Sequence, residues 1–190
     1  MISSDSYWQT KDTSIPLQTK TVLDEYLLSL KLANKAVGTI KMYRWVLEKF
    51  FRENILPLEK LTSNDILNWL NEYSKDKKPK TIDLFLSVLS SFFQFCLAEE
   101  YMSNVVIKKR WRPIIPQALP KYLNEQEYTT VKLTAESLSL RNRLLILFLF
   151  SSGCRCSEAS SLNIQDIQLE KRTAIVRGKG KKIRHIHFSE

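Results

Sequence analysis

The sequence predicts a mainly α-helical protein in which a helical bundle is followed by a smaller α+β segment with a β-hairpin. Three observations lead to this fold class. Apolar residues recur at helical spacing over residues 21–98. Three prolines then fall within residues 113–120, and glycines separate two strand-like runs at 173–177 and 182–188. Glycine is scarce, with 4 in 190 residues, which disfavours all-β and glycine-rich nucleotide-binding folds.

Four helices are predicted in the first part of the chain. The first carries an apolar face over residues 22–30, and the second is expected to begin with Thr39 as its N-cap. Thr62 or Ser63 can cap the third. Pro79 suits the first turn of the fourth helix, which is apolar almost all round and is therefore expected to lie at the centre of the bundle.

The second part predicts two helices and a shorter one before the hairpin. Asn124 is the expected N-cap of the first of these helices. The next begins near Leu140, contains an apolar run at 144–150 that we expect to be buried, and ends at Gly153. A short helix is predicted from about 157 to 162.

Composition divides the chain into four segments. Residues 1–17 are polar and aperiodic and are expected to form a flexible tail. Residues 18–107 form the helical domain, residues 108–119 form a basic, proline-rich linker, and residues 120–190 form the second domain.

Membrane and secreted proteins are disfavoured by the same sequence. The longest uninterrupted apolar run has seven residues, whereas a membrane span needs about 20. No signal peptide is expected at the start of the chain. The three cysteines, an odd number, indicate a reducing compartment, so a cytoplasmic location is expected.

The net charge of +9 is confined to one part of the chain. Residues 1–107 carry 13 basic and 13 acidic residues, whereas residues 108–190 carry 16 basic and 7 acidic ones. A surface that faces a polyanion has such a local excess, because each neutralised phosphate releases counterions. A basic solvated face without a ligand is the alternative.

Two motifs lie in the basic part. Ser152-Gly-Cys-Arg-Cys-Ser-Glu-Ala-Ser-Ser-Leu162 places Arg155 and Glu158 on one face of a short helix. Taken alone, this pair could be an exposed ion pair worth about 0.3 kcal/mol. Arg177-Gly-Lys-Gly-Lys-Lys182 places Lys179 between two glycines at a hairpin tip, which could also be a solvated turn. The spacing of a phosphate-binding P-loop is missing.

Together the motifs resemble the tyrosine recombinases of the phage-integrase family. The arginine segment is similar to the family's Thr-Gly-x-Arg-x-Ser-Glu-x-x-x-Leu box, and Gly178-Lys-Gly-Lys-Lys-Ile-Arg184 is similar to its hairpin. Leu119-Pro-Lys-Tyr-Leu-Asn-Glu-Gln-Glu127 resembles the opening of the catalytic domain. The resemblance implies a SAM-like helical core-binding domain followed by an incomplete α+β catalytic domain, which together form part of a C-shaped clamp around DNA.

The resemblance also implies roles for single residues in site-specific recombination. Arg155 is the first catalytic arginine and holds the non-bridging oxygens of the scissile phosphate, where negative charge develops. Lys179 is the general acid for the departing 5′-hydroxyl. Glu158 orients active-site side chains without touching DNA. The implied partners are double-stranded DNA and other recombinase protomers; no cofactor, nucleotide, metal or membrane is expected.

The basic side chains of both parts are expected to contact the DNA backbone. These candidate DNA-binding residues are Lys35, Lys41, Lys77, Lys78, Lys80, Lys108, Lys109, Arg110, Arg112, Arg177, Lys181, Lys182 and Arg184.

Two features of the family pattern are missing from these 190 residues. The family has a His-x-x-Arg motif and a nucleophilic tyrosine after the hairpin, and here no tyrosine follows Arg155. We therefore expect a recombinase truncated before these motifs, which does not cleave DNA by itself.

Three other functions fit parts of the sequence. The chain could be a non-enzymatic short form that occupies recombination sites or blocks a full-length recombinase. It could be a fragment of a type IB topoisomerase, which shares the arginine–lysine chemistry, or a basic protein-interaction module without DNA affinity. The pairs Cys154/Cys156 and His185/His187 lack the usual spacing of zinc ligands, so no metal site is expected.

Overall fold

The computed structural model describes residues 6–104, 106–117, 119–178, 180 and 182–189. The chain divides into two compact units, which we call unit 1 (Met1–Gln117) and unit 2 (Ala118–Glu190). The predicted fold class is confirmed, because helices dominate and a small antiparallel sheet closes the chain.

Unit 1 is a helical bundle. Its helices are α1 (Leu17–Leu32), α2 (Val37–Glu53), α3 (Ser63–Ser74) and α4 (Pro79–Ala98), with short 3-10 turns at Leu58–Lys60 and Lys109–Trp111.

Local sequence signals explain two of these helix starts and fail at a third. Thr62 caps α3 in a reciprocal box with Asp65, and Pro79 is the first residue of α4, as predicted. The prediction for α2 was wrong, because the helix begins at Val37 rather than after Thr39. The carbonyl of Ala36 accepts hydrogen bonds from the backbone N–H groups of Thr39 and Ile40, so the first turn forms without a side-chain cap.

Helix α4 lies at the centre of unit 1, as its composition predicts. Its buried side chains are Phe85, Leu86, Val88, Leu89, Phe92, Phe93 and Cys96. Phe92 packs edge-on against Tyr26 of α1 and Phe51 of α2, with ring centroids 5.4 and 5.5 Å apart.

Among the helices that the structure describes, α4 is also the one that is long and apolar enough to cross a membrane. It has 20 residues and a mean hydropathy of 1.6. The sequence analysis disfavoured a membrane span because no uninterrupted apolar run exceeds seven residues. Mean hydropathy tolerates single polar residues, and by this measure α4 is apolar enough to span a membrane. Because its apolar side chains form the core of unit 1, we interpret α4 as the core helix of a bundle.

The N-terminal segment differs from the flexible tail expected for residues 1–17. Arg44 Nη1 donates to the carbonyl oxygens of Tyr7 and Gln9 at 2.9 and 3.2 Å. The backbone N–H of Thr10 donates to a carboxylate oxygen of α1 at 2.6 Å, and Ile15 is buried in the core. Residues 6–16 are therefore fixed to α1 and α2, and α1 itself begins at Leu17.

The first half of the expected linker also belongs to unit 1. Trp111 packs against the core of the bundle. Arg112 Nη1 lies 2.6 Å from a carboxylate oxygen of Asp83 and donates to Ser87 Oγ at 2.8 Å. Both partners are on α4, so the chain is fixed to unit 1 at least as far as residue 112.

Unit 2 packs helices against one face of a small sheet. Its elements are α5 (Glu125–Glu136), α6 (Leu140–Ser152), α7 (Cys156–Ser160), a 3-10 turn at Ile164–Asp166, and strands β1 (Ile167–Gln168), β2 (Thr173–Arg177) and β3 (Ile183–His187).

Most of the predicted signals in unit 2 are confirmed. Asn124 caps α5 with Glu127, and Gly153 ends α6 in the left-handed region at φ 60°. Strands β2 and β3 form the antiparallel hairpin, with Ile175 opposite His185. Strand β1, which extends the sheet beside β2, was missed because a two-residue strand leaves no periodic pattern.

The apolar run of α6 is only partly covered, contrary to its expected burial. Phe148 and Leu149 pack against the sheet. Leu144, Leu145 and Leu147 are exposed, because α6 is apolar all round and the described part of unit 2 covers one of its sides.

Candidate functional site

The arginine segment forms a tight turn between two helices. Helix α6 ends at Gly153, and Arg155 immediately precedes α7, in an extended conformation. Glu158, in the first turn of α7, reaches back so that Oε2 accepts a hydrogen bond from the backbone N–H of Arg155 at 2.8 Å. The spacing of three residues thus fixes the backbone at Arg155.

The Glu158 carboxylate joins two arginines from different elements. Its Oε1 accepts from Arg155 Nη1 at 2.9 Å, and its Oε2 accepts from Arg184 Nη2 on β3 at 2.7 Å. Glu158 is only 1% exposed. An exposed surface ion pair is therefore not what this segment forms. Sequence spacing predicted the pair with Arg155, but Arg184 lies 26 residues further on and left no local signal.

Gly178 provides the space for this carboxylate. A Cβ atom at Gly178 would lie 2.8 Å from Glu158 Oε1, closer than real side chains approach. The backbone N–H of Gly178 also donates to the carbonyl oxygen of Lys182 at 2.8 Å. This bond joins the two arms of the hairpin just beyond the end of β2 and just before the start of β3.

The three groups keep Glu158 ionised. The backbone N–H of Arg155, then the guanidinium of Arg184, and then the guanidinium of Arg155 lower the pKa of Glu158 from 4.5 to about 2. At neutral pH the site therefore holds one carboxylate between two arginines and keeps a net positive charge.

Arg155 is held at one edge and open at the other. Its side chain is 66% exposed although Glu158 fixes one of its nitrogens. A guanidinium presents five N–H donors, so most of them remain available to an anion. Lys179 and Lys181, the other predicted residues of the hairpin tip, lie outside the described residues.

A second buried carboxylate supports the neighbouring strand. Asp166 is 6% exposed and accepts hydrogen bonds from both terminal nitrogens of Arg177 on β2, at 3.3 and 3.4 Å. The backbone N–H of Asn163 is the main reason why the pKa of Asp166 is lowered, and Arg177 adds to the effect. Each long strand of the hairpin therefore has one arginine paired with a buried carboxylate.

Unit 1 carries its own basic surface, with an exposed aromatic ring that the sequence analysis missed. Lys41, Trp45 and Lys49 follow one another at four-residue spacing on one face of α2. Trp45 is 53% exposed, and its ring packs edge-on against Phe85 with centroids 5.4 Å apart. The spacing of a tryptophan between two lysines was the signal that could have found it.

The same surface continues to the beginning of α4. Lys49 and Lys77 both place their ammonium groups over the ring of Tyr73, at 5.9 and 5.8 Å from its centroid. Lys78 precedes the first residue of α4, and the first turn of this helix contains no acidic residue. We call Lys41, Trp45, Lys49, Lys77 and Lys78 the lysine–tryptophan surface.

Apart from Lys181, which lies outside the described residues, the predicted DNA-binding residues are all exposed. Three of them, Arg112, Arg177 and Arg184, also form ion pairs with carboxylates of their own unit. The other exposed members are Lys35, Lys41, Lys77, Lys78, Lys80, Lys108, Lys109, Arg110 and Lys182.

The two cysteine and histidine pairs are not part of a larger cluster. Within the residues that the structure describes, no three His, Cys, Asp or Glu side chains lie close enough together to hold a metal ion.

Comparison with known families matches both units. Residues 121–190 match the phage integrase family, and residues 23–100 match the N-terminal SAM-like domain of phage integrases.

Named relatives align over most of the chain. The tyrosine recombinase XerA of Pyrococcus horikoshii is 36% identical over 171 residues, which are 89% of this chain and 56% of that protein. The tyrosine recombinase XerC of Bacillus licheniformis is 33% identical over 176 residues, or 88% of this chain and 57% of the relative. The chain thus spans little more than half the length of these relatives.

Solved structures share the fold. A lambda integrase tetramer bound to a Holliday junction matches 89% of this chain and 50% of that chain, with a TM-score of 0.73 and 23% identity. The XerH site-specific recombinase bound to a palindromic difH substrate matches 95% of this chain and 60% of its own, with a TM-score of 0.63 and 21% identity.

Proposed function

Because this chain belongs to the phage integrase family of tyrosine recombinases, we propose that it binds double-stranded DNA and takes part in site-specific recombination. The observation that carries the proposal is the arginine held by a buried carboxylate: Arg155 is two-thirds exposed and hydrogen-bonded to the fully buried Glu158. The relatives XerA and XerC are named as tyrosine recombinases, which supports this class of reaction.

Arg155 would bind the scissile phosphate. A phosphoryl group gains negative charge on its non-bridging oxygens in the transition state, and a planar guanidinium can donate two parallel hydrogen bonds to them. Because Glu158 already fixes the guanidinium, little side-chain entropy is lost when the phosphate binds. Lys179 would protonate the departing 5′-oxygen, as the resemblance implies.

Phosphate contacts outside the reacting centre would supply most of the affinity. In unit 1 the lysine–tryptophan surface offers the exposed ammonium groups of Lys41, Lys77 and Lys78, whereas Lys49 is paired with Glu53 at 2.6 Å. In unit 2 the exposed Lys182 lies beside the hairpin. Such contacts position a protein on DNA, and each one makes binding weaker as salt rises.

Strand cleavage is not expected from these 190 residues alone. The last tyrosine is Tyr128, which precedes Arg155, and the chain contains no His-x-x-Arg motif. We propose a cytoplasmic location, where DNA and reduced cysteines are both found.

The test is a duplex-binding titration at 50 and 200 mM salt, together with an assay for covalent adducts on nicked substrate. We expect tight binding at the lower salt, a loss of about 10³-fold or more at the higher salt if six or more phosphates are contacted, and no covalent protein–DNA adduct. Absence of binding at the lower salt would contradict the DNA proposal. A covalent adduct would contradict the proposal that this chain does not cleave.

A regulatory role is the second candidate, and the exposed leucines of α6 favour it. Leu144 is 64% exposed and Leu145 is 42% exposed, so a full-length recombinase could bind this apolar side. Co-expression with an intact recombinase tests the role. A regulator lowers recombination in a way that Leu144→Lys relieves, whereas a chain without this role leaves recombination unchanged.

A further inference from the structure

Arg184 was expected to contact DNA, and in the structure its guanidinium is paired with a buried carboxylate although the side chain is 45% exposed. Its Nη2 donates to Glu158 Oε2 at 2.7 Å, and Glu158 is 1% exposed. The remaining Glu158 oxygen holds Arg155 at 2.9 Å. One buried carboxylate thus connects the hairpin strand β3 to the arginine that is proposed to bind phosphate.

We propose that Arg184 and Gly178 are positioning residues, which fix the hairpin relative to Arg155 through the Glu158 carboxylate. This inference rests on the proposed function of the site and assigns Arg184 a different role from that of a DNA contact.

The charges of the site support this role. A carboxylate buried to this degree needs its lone pairs satisfied, because an unpaired buried charge costs several kcal/mol. Arg155 alone supplies a backbone N–H and one guanidinium bond. Among the described residues, Arg184 supplies the remaining charge-assisted bond, so releasing it to a phosphate would take one of these partners from Glu158.

The geometry of Gly178 points in the same direction. Its missing Cβ would sit 2.8 Å from Glu158 Oε1, the oxygen that Arg155 uses. With any larger residue at this position, the Glu158 carboxylate or the hairpin would have to shift. Gly178 and Arg184 lie on opposite sides of the hairpin turn, so the two contacts together fix both arms of the hairpin.

Arg177 on the neighbouring strand is the matched comparison. It also carries one positive charge and is 54% exposed at its side chain, against 45% for Arg184. Its carboxylate partner is Asp166, which makes no described contact with Arg155.

The first measurement is the pKa of the Glu158 carboxylate by NMR titration of the full chain, without DNA. We expect Arg184→Gln to raise this pKa from about 2 towards 4.5, whereas Arg177→Gln leaves it unchanged. Gly178→Ala is expected to raise it as well, although this substitution removes no charge. If Arg184→Gln does not fold, Arg184→Lys replaces it in the measurement. We then expect a smaller rise in the pKa of Glu158, because lysine keeps the charge but lacks the planar guanidinium. A Glu158 pKa that stays at its wild-type value in the folded Arg184 variant would overturn the proposal.

The second measurement separates positioning from DNA contact. Each lost phosphate contact reduces the slope of log K against log salt by about 0.9. We expect Lys182→Gln to reduce the slope by this amount, and Arg184→Gln to weaken binding without changing the slope. An equal reduction in both variants would mean that Arg184 contacts phosphate and would contradict the proposal. If the wild-type chain does not bind DNA at all, the proposed function fails, while the pKa measurement still decides the role of Arg184.

Discussion

Units 1 and 2 are stabilised in different ways. Unit 1 has an extensive apolar core that runs from Ile15 to Val106 and is rich in aromatic rings. The described core cluster at the sheet of unit 2 has four buried apolar side chains, Cys154, Ala174, Val176 and Ile186, and the buried carboxylates Glu158 and Asp166 lie beside the same sheet.

The difference separates two tasks. Burial of apolar surface is non-directional, so it stabilises unit 1 without fixing the positions of individual polar side chains. Charge-assisted hydrogen bonds are directional, so in unit 2 they fix where Arg155 and the hairpin strands lie. Unit 2 also leaves apolar side chains of α6 exposed, which unit 1 avoids for the core side of α4.

The largest expected effect is a cavity in the core of unit 1. Phe92→Ala removes a fully buried ring that packs on Tyr26 and Phe51, so it should cost about 3–5 kcal/mol. Leu144→Ala, at an exposed position of α6, should change the stability by less than about 0.5 kcal/mol. All four tryptophans, Trp8, Trp45, Trp69 and Trp111, lie in unit 1, so their fluorescence during urea unfolding measures the cost there, and hydrogen exchange of the α6 amides measures the cost in unit 2. Equal losses of unfolding free energy in the two variants would contradict the claim that unit 1 depends on its apolar core more than unit 2 depends on α6.

Acid should unfold the polar site of unit 2 through Glu158. Its pKa falls from 4.5 to about 2 on folding, so the ionised group stabilises the fold fully above pH 4.5. This stabilisation is lost as the pH falls through the folded value near 2. Glu158→Gln should lower the stability of unit 2 at pH 7 and flatten its pH dependence between 4.5 and 2, as measured by hydrogen exchange of the β2 and β3 amides.

Asp12 in unit 1 is the control for this experiment. Hydrogen bonds from Ser14 and then Arg52 lower its pKa to about 2 as well. Asp12→Asn should change the acid response of unit 1 alone, so a change in the β2 and β3 amides would contradict the assignment to Glu158.

The exposed side of α6 predicts concentration-dependent association. Leu140 and Leu144 are 81% and 64% exposed, and apolar surface of this kind is removed from water when copies associate. The double variant Leu140→Lys/Leu144→Lys should sediment as a single chain at concentrations where the wild type forms larger species. A wild-type chain that stays monomeric at high concentration would contradict the prediction that the exposed side of α6 drives association.

The smallest effects should come from a capping device that both units share. Thr62 caps α3 in unit 1 and Asn124 caps α5 in unit 2, each in a reciprocal box with an acidic residue. Thr62→Ala and Asn124→Ala should each cost about 1 kcal/mol. The cost should appear in tryptophan fluorescence for Thr62→Ala, and for Asn124→Ala in hydrogen exchange of the α5 amides. A cost that appears in the other unit would contradict the separation of the two.

Sequence reasoning predicted the structural features that depend on residues close together in the chain. The caps at Thr62 and Asn124, the first residue of α4 at Pro79 and the glycine stop at Gly153 follow from residues a few positions apart, and all are confirmed. The basic excess and the arginine box were also readable, because charge and spacing are properties of the chain itself.

The structural features that sequence reasoning missed depend on contacts between residues far apart in the chain. The N-terminal segment is held by Arg44, 35 and 37 residues away from the carbonyls it binds, so its polar composition wrongly indicated a flexible tail. The bond between Arg184 and Glu158 crosses 26 residues, so no local pattern in the sequence indicated it. Trp45 was passed over although its four-residue spacing from two lysines was a signal in the sequence; the fold then shows that its ring is exposed.

The most direct test of the account is whether Arg155 adds a phosphate contact that another arginine of unit 2 does not. Arg155→Gln and Arg141→Gln remove the same charge, and Arg141 is exposed on α6, where no DNA contact is proposed. Duplex affinity is measured for both variants and the wild type across a range of salt concentrations. We predict that Arg155→Gln reduces the salt slope by about 0.9, whereas Arg141→Gln leaves it close to the wild-type value. Identical slopes for the two variants would contradict the claim that Glu158 holds Arg155 for DNA phosphate.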